Sequence, residues 1–207
     1  MAATRATVFL ALALSASTLV ATAAQTKPAP KERRTSTAFS CASDLGTGVA
    51  SRRRFCDVIV ASVAADSVSV TIPPHAGVAN LAFDLHNRFT VPPASADPAQ
   101  AFARHVAVVS VVRQTGDVIG RAAVARDFRS PGDFFDRIAG AARGGAPKSV
   151  APGAPMPSQI VIPAGVTVVG IVGSRLEEWR PSGRGAFDTP GRPIAIVSNV
   201  RVDYLPR

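Results

Sequence analysis

The chain has 207 residues, 47% of them apolar and 18% charged, with 23 Lys and Arg against 14 Asp and Glu for a formal charge of +9. Apolar content of that order in a chain of this length supports one packed core, and the small charged fraction excludes an acidic or highly charged disordered protein. One Trp and one Tyr accompany ten Phe, a scarcity that weakens readings built on stacking platforms for bases or sugars and argues against nucleic acid as a partner.

Met1 to Arg5 carries one positive charge, Ala6 to Val20 is apolar without a charge, and Ala21-Thr22-Ala23-Ala24 supplies small residues. That order predicts a secretory signal peptide over residues 1–24. The apolar run is shorter than the roughly 20 residues that span hydrocarbon, so no transmembrane span is expected and the protein reads as exported, periplasmic or secreted. Residues 25–38 hold Lys27, Lys31, Arg33 and Arg34 among Pro, Thr and Ser and read as a flexible basic arm. Residues 39–207 are expected to form a single domain.

Cys41 and Cys56 are the two cysteines of the chain. In an oxidising compartment such a pair is most simply a disulfide, and closing a loop of that size stabilises a fold by about 3 kcal/mol. Gly46, Gly48 and the run Arg52, Arg53, Arg54 lie between them. The segment reads either as a stapled loop or as an anion-binding surface of glycine amides and guanidinium groups.

Beyond Cys56 the apolar period is two. Val58 and Val60 alternate, then Val68, Val70 and Ile72 before Pro73-Pro74. Leu81, Phe83, Leu85 and Phe89 share one face of a strand whose other face holds Ala82, Asp84, His86 and Arg88. Phe102 to Arg113 is apolar on nearly both faces and reads as a central strand. Gln114-Thr115-Gly116-Asp117 turns it into a strand from Val118 to Phe128. Ser130-Pro131-Gly132-Asp133 has the signature of a helix start, with Phe134, Phe135 and Ile138 on the apolar face of a short helix ending near Ala142. Residues 144–157 are rich in Pro, Gly and Ala and read as a long loop. Three strands follow, Gln159 to Ile162, Val166 to Val172 and Arg175 to Arg180, the last turning back at Ser182-Gly183. The closing run Pro193 to Tyr204 alternates so that Ile194, Ile196, Ser198, Val200, Val202 and Tyr204 share a face. About nine strands with one short helix, joined by short turns, indicate an all-β antiparallel sandwich, jelly-roll or immunoglobulin-like.

The inventory of catalytic motifs is thin. HExxH, GxSxG, a P-loop, CxxC and an EF-hand loop are all absent from the sequence, and it calls for no cofactor. Asp84 and His86 lie two apart on one strand face. With His75 or His105 from neighbouring strands they are the candidate ligands of a divalent metal in a hydrolase, against a structural hydrogen-bond network. His105, among Ala107, Val109 and Val111, reads as a core histidine. Glu177 and Glu178 point to opposite faces of a strand and make a poor acid/base pair. Asp133 and Asp136 read as helix-start carboxylates. Trp179 is expected in the core, with an exposed ligand-stacking position as the alternative.

The run CASDLGTGVASRRRFCDV, with FDLHNRF and the closing PGRPIAIVSNVRVDY, resembles an uncharacterised family of exported bacterial proteins, a likeness that implies no activity or site. The closing strand also resembles the last strand of jelly-roll carbohydrate-binding modules. The expectation is an exported, non-enzymatic sandwich binding a partner at the cell envelope: a glycan, an anionic polymer or a protein. Candidate contacts are Arg52, Arg53, Arg54 and Trp179. A metal-dependent hydrolase at Asp84 and His86, or a carbohydrate-binding module, is the alternative.

Overall fold

The computed structural model describes residues 31–91, 103–140 and 148–207. The predicted signal peptide, residues 25–30 of the arm and residues 144–147 of the loop lie outside the described residues. The rest forms β1 (Arg33–Ser36), β2 (Phe39–Cys41), β3 (Asp44–Thr47), β4 (Arg54–Ile59), β5 (Val68–Thr71), β6 (His75–Thr90), β7 (Ala103–Arg113), β8 (Val118–Phe128), β9 (Val150–Pro152), β10 (Met156–Ile162), β11 (Val168–Arg180), β12 (Gly183–Phe187) and β13 (Pro193–Pro206). The first sheet runs β10-β6-β13-β4-β3, with β1 on β13 and β9 on β6; the second runs β2-β5-β11-β7-β8, with β12 on β11.

All pairings among these strands are antiparallel. Number the eight central strands β4, β5, β6, β7, β8, β10, β11 and β13 from first to eighth. The sheets then read first-eighth-third-sixth and second-seventh-fourth-fifth. This order is the double Greek key of a jelly roll and replaces the immunoglobulin-like alternative.

Alternation explains the core. Leu81, Phe83 and Leu85 of β6 meet Val109 and Val111 of β7, Ile171 of β11, and Val197 and Val202 of β13 in one buried cluster. Each such side chain contributes about 1.5–3 kcal/mol by leaving water. Cys41 and Cys56 form the expected disulfide, with Cα atoms 5.7 Å apart, and it ties β2 of the second sheet to β4 of the first.

Several expectations need correction. Arg33–Ser36 is an edge strand on β13, and Arg34 Nε donates to Asp203 at 2.7 Å, so this part of the arm is part of the sheet. The short helix reduces to a 3-10 turn, Pro131–Asp133, with the capping box on Ser130 that the sequence announces. The chain then runs extended because neighbours take its backbone groups: Phe135 N–H donates to Pro152 O and Ala139 N–H to Thr47 O. Within the predicted loop, β9 pairs with β6, and β10 starts at Met156.

Two bulges also change side-chain parity. The two strands predicted over Val166 to Val172 and Arg175 to Arg180 are one, β11, which starts at Val168 and carries an extra residue between Gly173 and Arg175. In β13 the pairing with β6 shifts between Ser198 and Arg201, where Asn199 has φ +54°. One unpaired residue reverses which face every later side chain takes. Ile196 and Ser198 therefore face outward while Val200 and Val202 join the core.

Candidate functional site

The two outer faces differ. On the first sheet, Leu45, Phe55, Ile138, Val150 and Ile196 with Phe135 form a second apolar cluster under the segment that follows the 3-10 turn. Asp84 and His86 lie beneath this cover, 6% and 0% exposed. Asp84 accepts hydrogen bonds from Arg53 at 2.6 Å and from Asn199 at 3.1 Å. His86 Nδ1 donates to the Gly153 carbonyl at 2.8 Å, so its bare Nε2 accepts from the Ser198 hydroxyl at 2.9 Å. Nearby, Asp57 accepts from Arg88 at 2.9 Å and Ser43 at 3.1 Å. The carboxylates of Asp84 and Asp57 and the His86 imidazole are thus engaged and buried, with the Arg53 and Arg88 side chains partly exposed at the rim.

The three histidines do not converge. His75 sits eleven residues from His86 along β6, about 35 Å in an extended strand, and its ring nitrogens face the Pro73 and Pro163 carbonyls. His105 is buried on the inner face of the second sheet, as expected. Its Nε2 donates to Glu178 at 2.8 Å, which leaves Nδ1 without a hydrogen-bond partner. Among the described residues, no group of three or more His, Cys, Asp and Glu is placed to hold a metal ion. Asp84, His86 and His75 thus do not form the geometry that the hydrolase alternative needs. Glu177 and Glu178 face opposite sides, as expected, with Glu177 paired to Arg175 and Glu178 to Arg180.

Burial pulls the His86 imidazole below its ordinary value near 6.5, against the opposing pull of the Gly153 carbonyl and Asp84. His105 is lowered for the same first reason, despite Glu178. Both are neutral in the fold, whereas the unfolded chain takes up their protons near pH 6.5. Stability is therefore full above that pH and falls as pH drops toward the depressed folded values, by at most about 1.4 kcal/mol per pH unit for each histidine. Asp136 and Glu178 resist the upward push of burial, the first through Ser51 and backbone N–H groups, the second through Arg180 and His105, and both carboxyls stay low. They add a second loss below about pH 4. Thermal melts from pH 7 to 3 should show both stages, and a flat profile between pH 6.5 and 5 would contradict the first.

The cystine loop binds an anion, but its own. Ala50 N–H and Ser51 N–H donate to Asp136 at 3.0 and 2.8 Å. Arg53 is committed to Asp84, and Arg54 to Asp44 through Nε at 3.0 Å. Arg52 alone of the three lacks a carboxylate partner among the described residues. Of the two readings of this segment, the stapled loop fits, since two of the three guanidinium groups of the alternative anion-binding surface, Arg53 and Arg54, are committed within the chain. Asp133, by contrast, serves the turn start as predicted, accepting from Arg129 and Ser130 N–H.

The outer face of the second sheet is largely uncovered. The small cluster of Ala64, Val112 and Val172 with Ala61 closes one end of it. At the other end Trp179 is on this face, half-buried, and not in the core, because the bulge before Arg175 shifts its parity. Arg184, Trp179, Arg104 and Asp127 lie opposite one another across β12, β11, β7 and β8. The guanidinium carbons of Arg184 and Arg104 sit 4.9 and 5.7 Å from the indole centroid, distances at which the ring face attracts a cation. Arg104 is also held by Asp127 at 2.6 and 3.0 Å. Arg184 is exposed and has no carboxylate partner among the described residues, so its donors face solvent.

Between this stack and Arg121 runs a strip of small side chains. Val106 pairs with Ala125 and Val108 with Ala123, each alternating with core residues and left in partial or full contact with water. Neither a family model, nor a curated protein, nor a solved structure matches the chain. Arg104, Arg121 and Arg184 were not singled out from sequence; the alternation of Arg104, Val106 and Val108 against His105 and Ala107 was the available signal.

Proposed function

We propose that this protein is an exported, non-enzymatic jelly-roll module that binds an acidic glycan of the cell envelope on the uncovered face of its second sheet. The observation that carries the reading is the Arg184, Trp179, Arg104 stack, which holds guanidinium donors at the edge of a strip of short side chains on β7 and β8, bordered on β11 by the Arg175–Glu177 ion pair. Carboxylates or sulfates meet Arg184 at one end and Arg121 at the other, with hydroxyl-bearing rings over Val106, Val108, Ala123 and Ala125. Because two arginines already sit against the indole, the stack serves chiefly to order the donors and only secondarily to stack sugars. Export is supported by the disulfide and by the amino-terminal sequence pattern. No helix of the described residues is long and apolar enough to cross a membrane.

The test is the affinity for an acidic oligosaccharide, such as a polygalacturonate fragment, beside a neutral glucan of equal length. Arg184→Ala and Trp179→Ala should each weaken the acidic ligand by about tenfold, whereas Arg52→Ala, an exposed arginine off this face, should leave it unchanged. Affinity should also fall with added salt. Loss in the Arg52 variant with no loss at Arg184 would move the site to the cystine loop and overturn the reading.

A further inference from the structure

A cleft of about 600 Å³ opens at the far end of the same sheet face, where the connection from β4 to β5 crosses over β11. Its floor is Val112 and Val172, and its rim includes Gly116 and Val118 of the β7–β8 turn and Pro190 and Gly191 ahead of β13. Ser110 and Ser174 share a hydrogen bond of 2.9 Å at the floor. One hydroxyl donates to the other, so the accepting hydroxyl keeps its own proton for a ligand.

Two charged groups of opposite sign line this cleft. Asp66 comes from the crossing connection and Arg121 from β8. Both are exposed and neither has an ion-pair partner among the described residues. Their places follow from the register. Val68 pairs with Ile171, Val172 with Ser110 and Ser110 with Arg121. Asp66 therefore enters beside β5, and Arg121 stands three strand spacings away, about 14 Å. Side-chain reach from both ends narrows that gap toward the span of a short extended peptide, about 7–10 Å for two or three residues.

We infer that this cleft binds a short peptide of two or three residues with small aliphatic side chains and both termini free. The terminal carboxylate meets the Arg121 guanidinium and the free serine proton, the ammonium meets Asp66, and the side chains lie on Val112, Val118 and Val172. A cleft of this volume accommodates such a ligand. Fixed charges of both signs select against purely anionic or purely cationic molecules, since each would leave one charge facing its like. The cleft shares Arg121 with the glycan face but is centred away from the Trp179 stack: Ser110 is six residues from Arg104 along β7, about 20 Å.

The experiment is calorimetric titration of the full exported chain with trialanine, N-acetyl-trialanine and trialanine amide. Free trialanine should bind with a Kd on the order of 1 mM or tighter, and blocking either terminus should weaken it about tenfold. Asp66→Asn should bind the free and acetylated peptides alike, and Arg121→Gln should bind the free peptide and the amide alike. Both residues are exposed, and unchanged melting temperatures of the variants will separate lost contacts from lost folding. Absence of trialanine binding, or equal binding of all three peptides by the unaltered protein, would overturn the inference. Because Arg184→Ala leaves the cleft untouched, it should not alter trialanine binding, which keeps this result distinct from the fate of the glycan reading.

Discussion

Arg53→Met should destabilise the protein by about 3 kcal/mol, and Asp84→Asn by roughly a third of that. The asymmetry comes from burial. The Asp84 side chain is 8% exposed and the Arg53 side chain 35%. Removing the arginine leaves a carboxylate under the Phe135 cover with Asn199 as its remaining side-chain donor. Removing the carboxylate lets a guanidinium turn to water, where it keeps its contact over the Phe135 ring. Urea unfolding of the two single variants checks the order; equal losses would mean that Asp84 is better hydrated than its burial implies.

The second large effect belongs to the disulfide. Replacing Cys41 and Cys56 together with alanine should lower stability by about 3 kcal/mol, or roughly 6–12 °C in melting temperature for a chain of this size. The bridge is the one disulfide crosslink between the sheets among the described residues, and it anchors a three-residue edge strand that has little other means of holding its place. Fraying should therefore begin at β2 and the cystine loop. If the double variant melts with the parent, noncovalent packing already fixes that edge.

The central strands were legible because each is long enough to show its period. Leu81, Phe83 and Leu85, and Ala107, Val109 and Val111, announce their inner faces without help from the rest of the chain. Strands β1, β2, β3 and β9 have three or four residues each, too few to display a period, and they exist because a neighbour offers an open edge. The segment from Phe134 to Ile138 has helix spacing, but tertiary hydrogen bonds to Pro152 and Thr47 outweigh that preference. Parity was the harder loss. Counting by two from Ile171 places Trp179 inside; one extra residue near Gly173 puts it outside, and nothing in GSR marks the bulge over a turn.

Site legibility followed the same logic. Cys41 and Cys56, the face shared by Asp84 and His86, the core position of His105 and the divided faces of Glu177 and Glu178 were all readable from spacing. The Asp136 carboxylate filling the cystine loop was not, because it lies 85 residues from Ser51 in sequence. Such long-range pairing is what separates a site open to ligands from one already occupied by the protein itself.

Trp179 is the single tryptophan of the chain, so its fluorescence reports on the proposed binding face without labelling. Titration with an acidic oligosaccharide should give a saturable change in its emission that weakens with salt, and the neutral glucan should give none. A silent tryptophan during binding detected by calorimetry, or no binding of the acidic ligand at low salt, would contradict the assignment of function to this face.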